Sequence, residues 1–191
     1  FHADAPAAAG DGTLSRELEA RLTGSVFLGQ KGIGVLRTGT GENAQALLLR
    51  FGPSLNHGHF DDLNFNYFAG GREITYDLGY DLASTHTQVG WAKQTVSHNL
   101  VAVDETSQGT ESGGSLHLFA DFPGLKLVEA SSENSYRSRG VSLYRRLMAI
   151  VAAGESSYLL DLFRVRGGRS HDYSIHFLGR LTGVASAALG G

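Results

Sequence analysis

The chain has 191 residues, 41% of them hydrophobic and 18% charged, which suits a single domain with a sizeable core. Its formal net charge of −3 gives no support for nucleic-acid binding, which favours a basic surface, although local positive charge can still attract a polyanion. There is no cysteine, so disulfides, thiol catalysis and cysteine-ligated metals are excluded. No apolar run approaches the ~18 residues of a membrane span.

The first part of the chain predicts a linker followed by a short helix. Residues 3–12 are rich in Ala, Gly and Asp. In residues 15–22 the leucines have helical spacing, and Ser15 is a candidate N-cap. We therefore assign residues 1–25 to a linker and the helical tail of a preceding domain, and residues 26–191 to the main domain. Residues 181–191 are small and apolar, so we expect the chain to stop before the main domain is complete.

From residue 26 onward the pattern changes to short apolar runs separated by glycine or by Pro53, as is typical of β-strands. Gly70-Gly71 predicts a tight hairpin turn. Glycine supplies 26 of the 191 residues, about twice its usual ~7%, which fits many turns. The predicted strands are 32–37, 44–51, 64–68, 73–76, 100–103, 115–119, 126–130, 144–152, 158–166 and 173–178. This spacing predicts an all-β fold, a large antiparallel β-sandwich.

Four polar residues have spacing that suits a metal site. His57 and His59 are two apart, so their side chains leave the same face of an extended segment. Asp77 ends the predicted strand 73–76, and His98 directly precedes the strand 100–103. Imidazoles and a carboxylate from neighbouring strands form a common ligand set for Zn²⁺, although imidazole suits iron or copper equally well. Spacing alone would assign both His57 and His59 to the metal.

Three blocks of sequence resemble the core of the heparinase II/III-like domain. They are HGHFDDLN at 57–64, Gly71 with DLGY at 77–80, and SHNLVAVD at 97–104. The similarity runs from about residue 32 to residue 178 and includes YRR at 144–146 and YLLD at 158–161. Because several spaced blocks occur in the family's order, the resemblance is specific to the family and much less specific to the substrate.

The resemblance implies a polysaccharide lyase of the heparinase II or oligo-alginate lyase type. Such enzymes pair an N-terminal (α/α) toroid with a C-terminal antiparallel β-sandwich, and the active site lies between them. In the family pattern, His59, Asp77 and His98 match the zinc ligands. Asn56 and His57 match the pair that faces the substrate and neutralises a uronate carboxylate. Spacing alone would make both histidines metal ligands, whereas the family pattern makes only His59 a ligand and gives His57 a role at the substrate.

The implied reaction explains why these residue types are needed. β-Elimination removes the proton α to a uronate carboxylate and expels the O4-linked sugar, so donors such as Asn56 and His57 must neutralise the carboxylate as the carbanion forms. Tyr80 resembles an active-site tyrosine of the family, and a tyrosine or histidine can serve as base or acid. Zinc would fix the loop that presents His57, because a lyase uses no water nucleophile.

The resemblance also implies partners and a compartment. The expected substrate is an acidic, uronate-containing polysaccharide or oligosaccharide, and the expected location is the periplasm or the exterior. A chain of 191 residues with one short predicted helix cannot hold the toroid, which carries further catalytic residues in this family. We therefore expect this chain to need the missing N-terminal helical domain and to turn over substrate poorly by itself.

Two other functions compete with the lyase. A cupin-type metalloenzyme also presents His-x-His, but it normally has a glutamate shortly after the second histidine, where this chain has Leu63. A non-catalytic carbohydrate-binding sandwich explains the strands but leaves the histidine and aspartate spacing as coincidence. The sequence also contains a cluster of basic residues, Arg137, Arg139, Arg145 and Arg146. Such a cluster is typical of a solvated strand face, and the alternative is that it contacts an acidic sugar.

Overall fold

The computed structural model describes residues 23–53, 58–82, 84–110, 113–180 and 182–183. Within these residues the strands are β1 (Val26–Leu28), β2 (Ile33–Thr38), β3 (Gln45–Arg50), β4 (Phe65–Ala69), β5 (Arg72–Thr75), β6 (Val101–Val103), β7 (Ser115–Phe122), β8 (Leu125–Ser131), β9 (Leu143–Ala153), β10 (Ser156–Arg166) and β11 (His171–Tyr173). Short helical segments lie at Gly29–Lys31, Gly41–Asn43, Gln88–Ala92, Thr95–Ser97 and Glu133–Arg139.

The strands form two antiparallel meanders that pack face to face. The first sheet has the order β1-β2-β3-β4-β5 and the second has the order β10-β9-β8-β7, while β11 pairs with β6 in a small third sheet. Strand β2 contacts β8 across the interface. A Cβ atom on Gly34 would lie only 2.9 Å from the side chain of Val128, so glycine permits this close approach. The predicted antiparallel β-sandwich is confirmed.

The core lies between the inner faces of the two main sheets. Successive side chains of a strand point to opposite faces, so every second residue of β3, β8 and β9 enters the interior. The buried side chains from the two sheets are Leu36, Leu47, Leu49, Phe65, Val128, Tyr144, Met148 and Ile150. Each large apolar side chain removed from water contributes roughly 1.5–3 kcal/mol, so this layer supplies the main stabilisation of the sandwich.

The hairpin between β4 and β5 turns at Gly70-Gly71, as the sequence predicted. Both glycines have positive φ values, 58° and 72°, which is the backbone conformation of a type I′ turn. Two strand predictions were inaccurate. Strand β1 was missed because it is only three residues long, and the strand predicted at 173–178 lies earlier, at His171–Tyr173. Apolar residues continue beyond it, but in the described residues that follow, the only β-bridge is the isolated one from Phe177 to Thr75.

The predicted linker and helix at residues 1–22, and residues 184–191 at the other end, lie outside the described residues. The assignment of residues 1–25 and 26–191 to separate units therefore stays a prediction. In the part of the chain that the structure describes, no helix is both long enough and apolar enough to cross a membrane.

Arg146 is buried in the core, so the prediction of a solvated basic face was wrong for this residue. Its guanidinium donates to Asp161 through Nε (2.9 Å) and Nη2 (2.6 Å). Nη1 donates to the backbone carbonyls of Leu63 (2.9 Å) and Asn99 (2.5 Å). The guanidinium carbon also lies 4.5 Å from the ring centroid of Phe65. Arg146 thus ties the second sheet to two loops that precede β4 and β6.

The remaining arginines of the predicted cluster do not join Arg146. Arg145 points to the opposite face of β9 because adjacent residues alternate, and its Nη2 donates to Glu129 at 2.5 Å. Glu129 also pairs with Arg164. Arg137 and Arg139 are exposed in a separate helical turn. The four arginines therefore do not form one binding surface.

Candidate metal centre

Four imidazole and carboxylate side chains converge beside the first sheet. Each of His59, Asp61, Asp77 and His98 offers one ligand atom, and these atoms all lie within 4.8 Å of one another. In the antiparallel hairpin of β4 and β5, the start of β4 lies beside the end of β5. His59 and Asp61, which precede β4, therefore meet Asp77, which follows β5, at one edge of the sheet. His98 joins them from the segment between the helical turn Thr95–Ser97 and β6.

The separations within this cluster suit a single ion. His59 Nδ1 lies 3.0 Å from His98 Nε2 and 3.8 Å from Asp77 Oδ1, and His98 Nε2 lies 3.4 Å from Asp77 Oδ2. Zinc bonds of about 2.0–2.2 Å in a tetrahedral arrangement place neighbouring ligand atoms roughly 3.3 Å apart. His59 and His98 are only 5% and 1% exposed. The three predicted ligands are therefore brought together in a geometry that could hold zinc.

The backbone carbonyl of Gln94 orients the imidazole of His98. His98 Nδ1 lies 2.7 Å from this oxygen, which can only accept a hydrogen bond, so Nδ1 carries the proton. The lone pair of the neutral ring is then on Nε2, the atom that faces the cluster. Metal-binding histidines typically donate their other N–H to a carbonyl or carboxylate in this way. The turn at Thr95–Ser97 brings Gln94 to this position.

Asp77 is held as an ionised carboxylate by its neighbours. Its Oδ2 accepts a hydrogen bond from Asn64 Nδ2 (3.2 Å), and its Oδ1 accepts one from the backbone N–H of Gly79 (2.7 Å). Burial acts to raise the pKa of Asp77, but the hydrogen bonds from His98 and Gly79 and the charge of the imidazoles lower it to about 2. Asp77 therefore carries a negative charge at any ordinary pH.

The two buried imidazoles have opposite acid–base tendencies. Burial and the neighbouring charge of His98 lower the pKa of His59. Burial also acts to lower the pKa of His98, but the hydrogen bond to Asp77 and the charge of that carboxylate raise it overall. In the metal-free protein, His98 is thus the imidazole that holds a proton more tightly.

We expect zinc affinity to fall as the pH drops through the histidine range. Zinc binds neutral imidazole, so protons compete with the metal. Because the pKa of His98 is raised above the ordinary 6.5, this competition begins at a higher pH than for an isolated histidine. Competition with a chromophoric chelator at about pH 8, 7 and 6 measures the effect. An affinity that is constant or rises toward pH 6 would contradict the expectation.

Asp61 is a member of the cluster that the sequence analysis did not single out. Its carboxylate is buried and forms an ion pair with Arg50 Nη1. Burial raises the pKa of Asp61, despite the opposing charge of Arg50. Its position two residues after His59 was an available signal, because side chains two apart share one face of an extended segment. Asp61 can supply a fourth ligand or stay paired with Arg50.

A cleft of about 450 Å³ opens beside the cluster. Tyr80 lines it, with a side chain that is 68% exposed and a ring centroid 4.5 Å from that of His59. The predicted catalytic residues Asn56 and His57 lie outside the described residues, and Gly58, which follows them, lines the cleft. The other residues of the cleft are Lys31, Ile33, Arg50, Pro53, His59, Asp61, Asp77 and Gly79.

Two curated proteins are similar in sequence to this chain. An exo-oligoalginate lyase of Saccharophagus degradans is 28% identical over 176 residues, covering 80% of this chain and 23% of that protein. An alginate lyase of Stenotrophomonas maltophilia is 29% identical over 174 residues, covering 78% of this chain and 23% of that protein. The chain thus spans about a quarter of the length of these relatives.

A solved structure and a family model agree with this similarity. A mutant of the heparan sulfate lyase HepC from Pedobacter heparinus superposes with a TM-score of 0.60 at 21% identity, covering 75% of this chain and 22% of that one. At this identity the likeness shows the fold alone. The model of the family described as heparinase II/III-like, C-terminal, matches residues 20–188. The chain therefore belongs to the heparinase II/III-like family and contains its C-terminal domain.

Proposed function

We propose that this chain is the zinc-binding β-sandwich domain of a polysaccharide lyase that cleaves uronate-containing glycans by β-elimination. The observation that carries the proposal is the convergence of the buried imidazoles of His59 and His98 with the half-buried carboxylate of Asp77 beside an open cleft. Its support from sequence is membership of the heparinase II/III-like family and similarity to two proteins named as alginate lyases.

The donor set fits zinc for three reasons. Two imidazoles and one carboxylate match the oxygen and nitrogen ligands that zinc accepts. The carboxylate of Asp77 is ionised, and the tautomer of His98 leaves Nε2 free to coordinate. Bound zinc would supply a fixed positive charge that anchors the loop containing His59, and through it the residues that precede His59 in sequence. Asp61 is within reach of the same position.

We expect the substrate to contact residues that are adjacent to the metal centre, either in sequence or in space. We assign Asn56 and His57 to neutralise the uronate carboxylate as its α-proton leaves, because hydrogen-bond donors stabilise the developing charge. We assign Tyr80 to proton transfer, because its exposed hydroxyl-bearing ring stands over His59 in the cleft. The remaining catalytic groups belong, by this proposal, to an N-terminal helical domain.

The proposal includes a partner domain and a compartment. Because the chain spans only 23% of the length of its alginate lyase relatives, we expect it to act together with a helical domain and to be nearly inactive by itself. We also propose, from the family resemblance, that the protein acts on an acidic polysaccharide or oligosaccharide in the periplasm or outside the cell. Rapid cleavage by the 191-residue chain alone would overturn the expected dependence on a second domain.

The test of the proposed function is a cleavage assay against a panel of acidic glycans, including alginate and heparan sulfate. The chain joined to a helical domain from a relative should generate unsaturated product, which is followed by ultraviolet absorbance. Elemental analysis should find zinc near one ion per chain. Glycan binding without cleavage would favour a carbohydrate-binding sandwich, and bound iron or manganese in place of zinc would favour a cupin-type enzyme.

Replacement of Tyr80 by phenylalanine should lower the cleavage rate of the joined protein by roughly 100-fold or more, because general acid–base groups contribute about 10²–10⁴-fold. The zinc content should not change. A matched control is Tyr158→Phe, because Tyr158 is also exposed but lies on β10, away from the cleft. Equal rates for the two variants would remove Tyr80 from the proposed mechanism.

A further inference from the structure

Asn64 connects the chain segments that carry the candidate metal ligands. It is buried, with 3% of its surface exposed. Its Nδ2 donates to Asp77 Oδ2 (3.2 Å), and its Oδ1 accepts a hydrogen bond from the backbone N–H of Asn99 (3.1 Å), the residue after His98. Its own backbone N–H donates to the carbonyl oxygen of Asp61 (2.9 Å). One side chain thus bridges the end of β5 and the segment before β6.

The chemistry of this position calls for an amide. The side chain must donate to a carboxylate and accept from an N–H at the same time, and only asparagine does both at this length. An aspartate would place a second carboxylate against Asp77, and an alanine would leave the N–H of Asn99 without its acceptor. Burial makes such a loss costly, because water cannot replace the missing partner.

The backbone before Asn64 is also constrained. Leu63 has a φ of 72°, a left-handed conformation that is uncommon for a residue other than glycine, and it is fully buried. Its carbonyl oxygen accepts a hydrogen bond from Arg146 Nη1, which also binds the carbonyl oxygen of Asn99. The surrounding core therefore holds Leu63 in this conformation and aims the side chain of Asn64 at Asp77.

We propose that Asn64 is a positioning residue of the metal centre. It orients the carboxylate of Asp77 toward the ion, and the backbone N–H of Asn99 holds the side chain of Asn64 in place for this role. Residues that hold metal ligands in this way typically alter metal affinity by about 10–100-fold. The inference rests on the zinc site of the proposed function and is independent of the glycan that the protein cleaves.

The test measures zinc affinity of the 191-residue chain by competition with a chelator. Asn64→Ala should weaken binding by about 10–100-fold. Asn66→Ala is the matched control, because Asn66 Nδ2 donates to Glu73 Oε1 at the same 3.2 Å but at an exposed site outside the cluster. In an Asp77→Ala background, Asn64→Ala should have little further effect, within about twofold, because Asn64 acts through the carboxylate that is already absent.

Circular dichroism and thermal unfolding of the metal-free variants establish that each is folded, and Asn64→Ser replaces Asn64→Ala if the alanine variant is not. Wild-type affinity in the Asn64 variant, or an equal loss with and without Asp77, would overturn the inference while leaving the metal centre intact. Failure of the wild-type chain to bind zinc would overturn the metal centre and the inference with it. Failure to cleave any uronate glycan would affect only the lyase assignment.

Discussion

Replacement of His59 by alanine should abolish stoichiometric zinc binding. His59 contributes one of two buried imidazoles to the cluster, and its loss leaves one imidazole with carboxylates, a weaker set for zinc. We expect the zinc affinity to fall by more than ~100-fold, which is the upper end of the loss caused by replacing a residue that only supports a metal ligand. Chelator competition measures the affinity, and elemental analysis after desalting measures the stoichiometry.

Thermal unfolding gives a second measurement of the same change. Zinc at 100 times its dissociation constant should stabilise the wild-type chain by about 2.7 kcal/mol. A chain of this size gains roughly 2–4 °C in melting temperature per kcal/mol, so the expected shift is about 5–11 °C. The His59→Ala variant should show no such shift.

The matched control is His117→Ala, because His117 lies on β7 and bonds Ser131, outside the cluster. Its zinc-dependent shift should equal that of the wild type. If His59→Ala retained the full zinc shift, the ion would bind elsewhere and the candidate centre would be wrong.

Replacement of Arg146 by alanine should lower the free energy of unfolding by about 3–5 kcal/mol, because removing one partner of a buried ion pair leaves an uncompensated charge. The charge that would lose its partner is the carboxylate of Asp161, which accepts two hydrogen bonds from Arg146 and has a side chain only 17% exposed. The carbonyl oxygens of Leu63 and Asn99 also lose their donor. Urea unfolding monitored by fluorescence measures the change.

The neighbouring arginine provides the control. Arg145→Ala removes a side chain of the same type from the same strand, but its buried partner Glu129 keeps an ion pair with Arg164. We expect a smaller loss than for Arg146→Ala, because the charge of Glu129 stays compensated. A double replacement, Arg146→Met with Asp161→Leu, should recover much of the loss, since apolar residues can replace a buried ion pair. Equal losses for Arg145→Ala and Arg146→Ala would contradict the buried assignment.

Features that depend on local patterning could be predicted from the sequence. Alternation of apolar and polar residues identified most of the strands, and Gly70-Gly71 predicted the β4–β5 turn, because both depend on neighbouring residues alone. The positions of His59, Asp77 and His98 at strand boundaries, together with the resemblance to the heparinase II/III-like domain, indicated which residues would meet. Their roles as zinc ligands remain predictions to be tested as above.

Features that depend on distant pairing appeared only in the tertiary structure. The pattern around Arg145 and Arg146 reads as a charged surface, and only the packing of β9 against the first sheet shows which arginine points inward. Asp61 and Asn64 look like ordinary loop residues until Arg50, Asp77 and Asn99 are brought beside them. The sequence by itself therefore predicted the sandwich and singled out His59, Asp77 and His98, but it did not single out Asp61. Tertiary packing decided the contacts of Asp61 and Asn64 around that cluster, because these contacts join residues that are 11 to 35 positions apart in the chain.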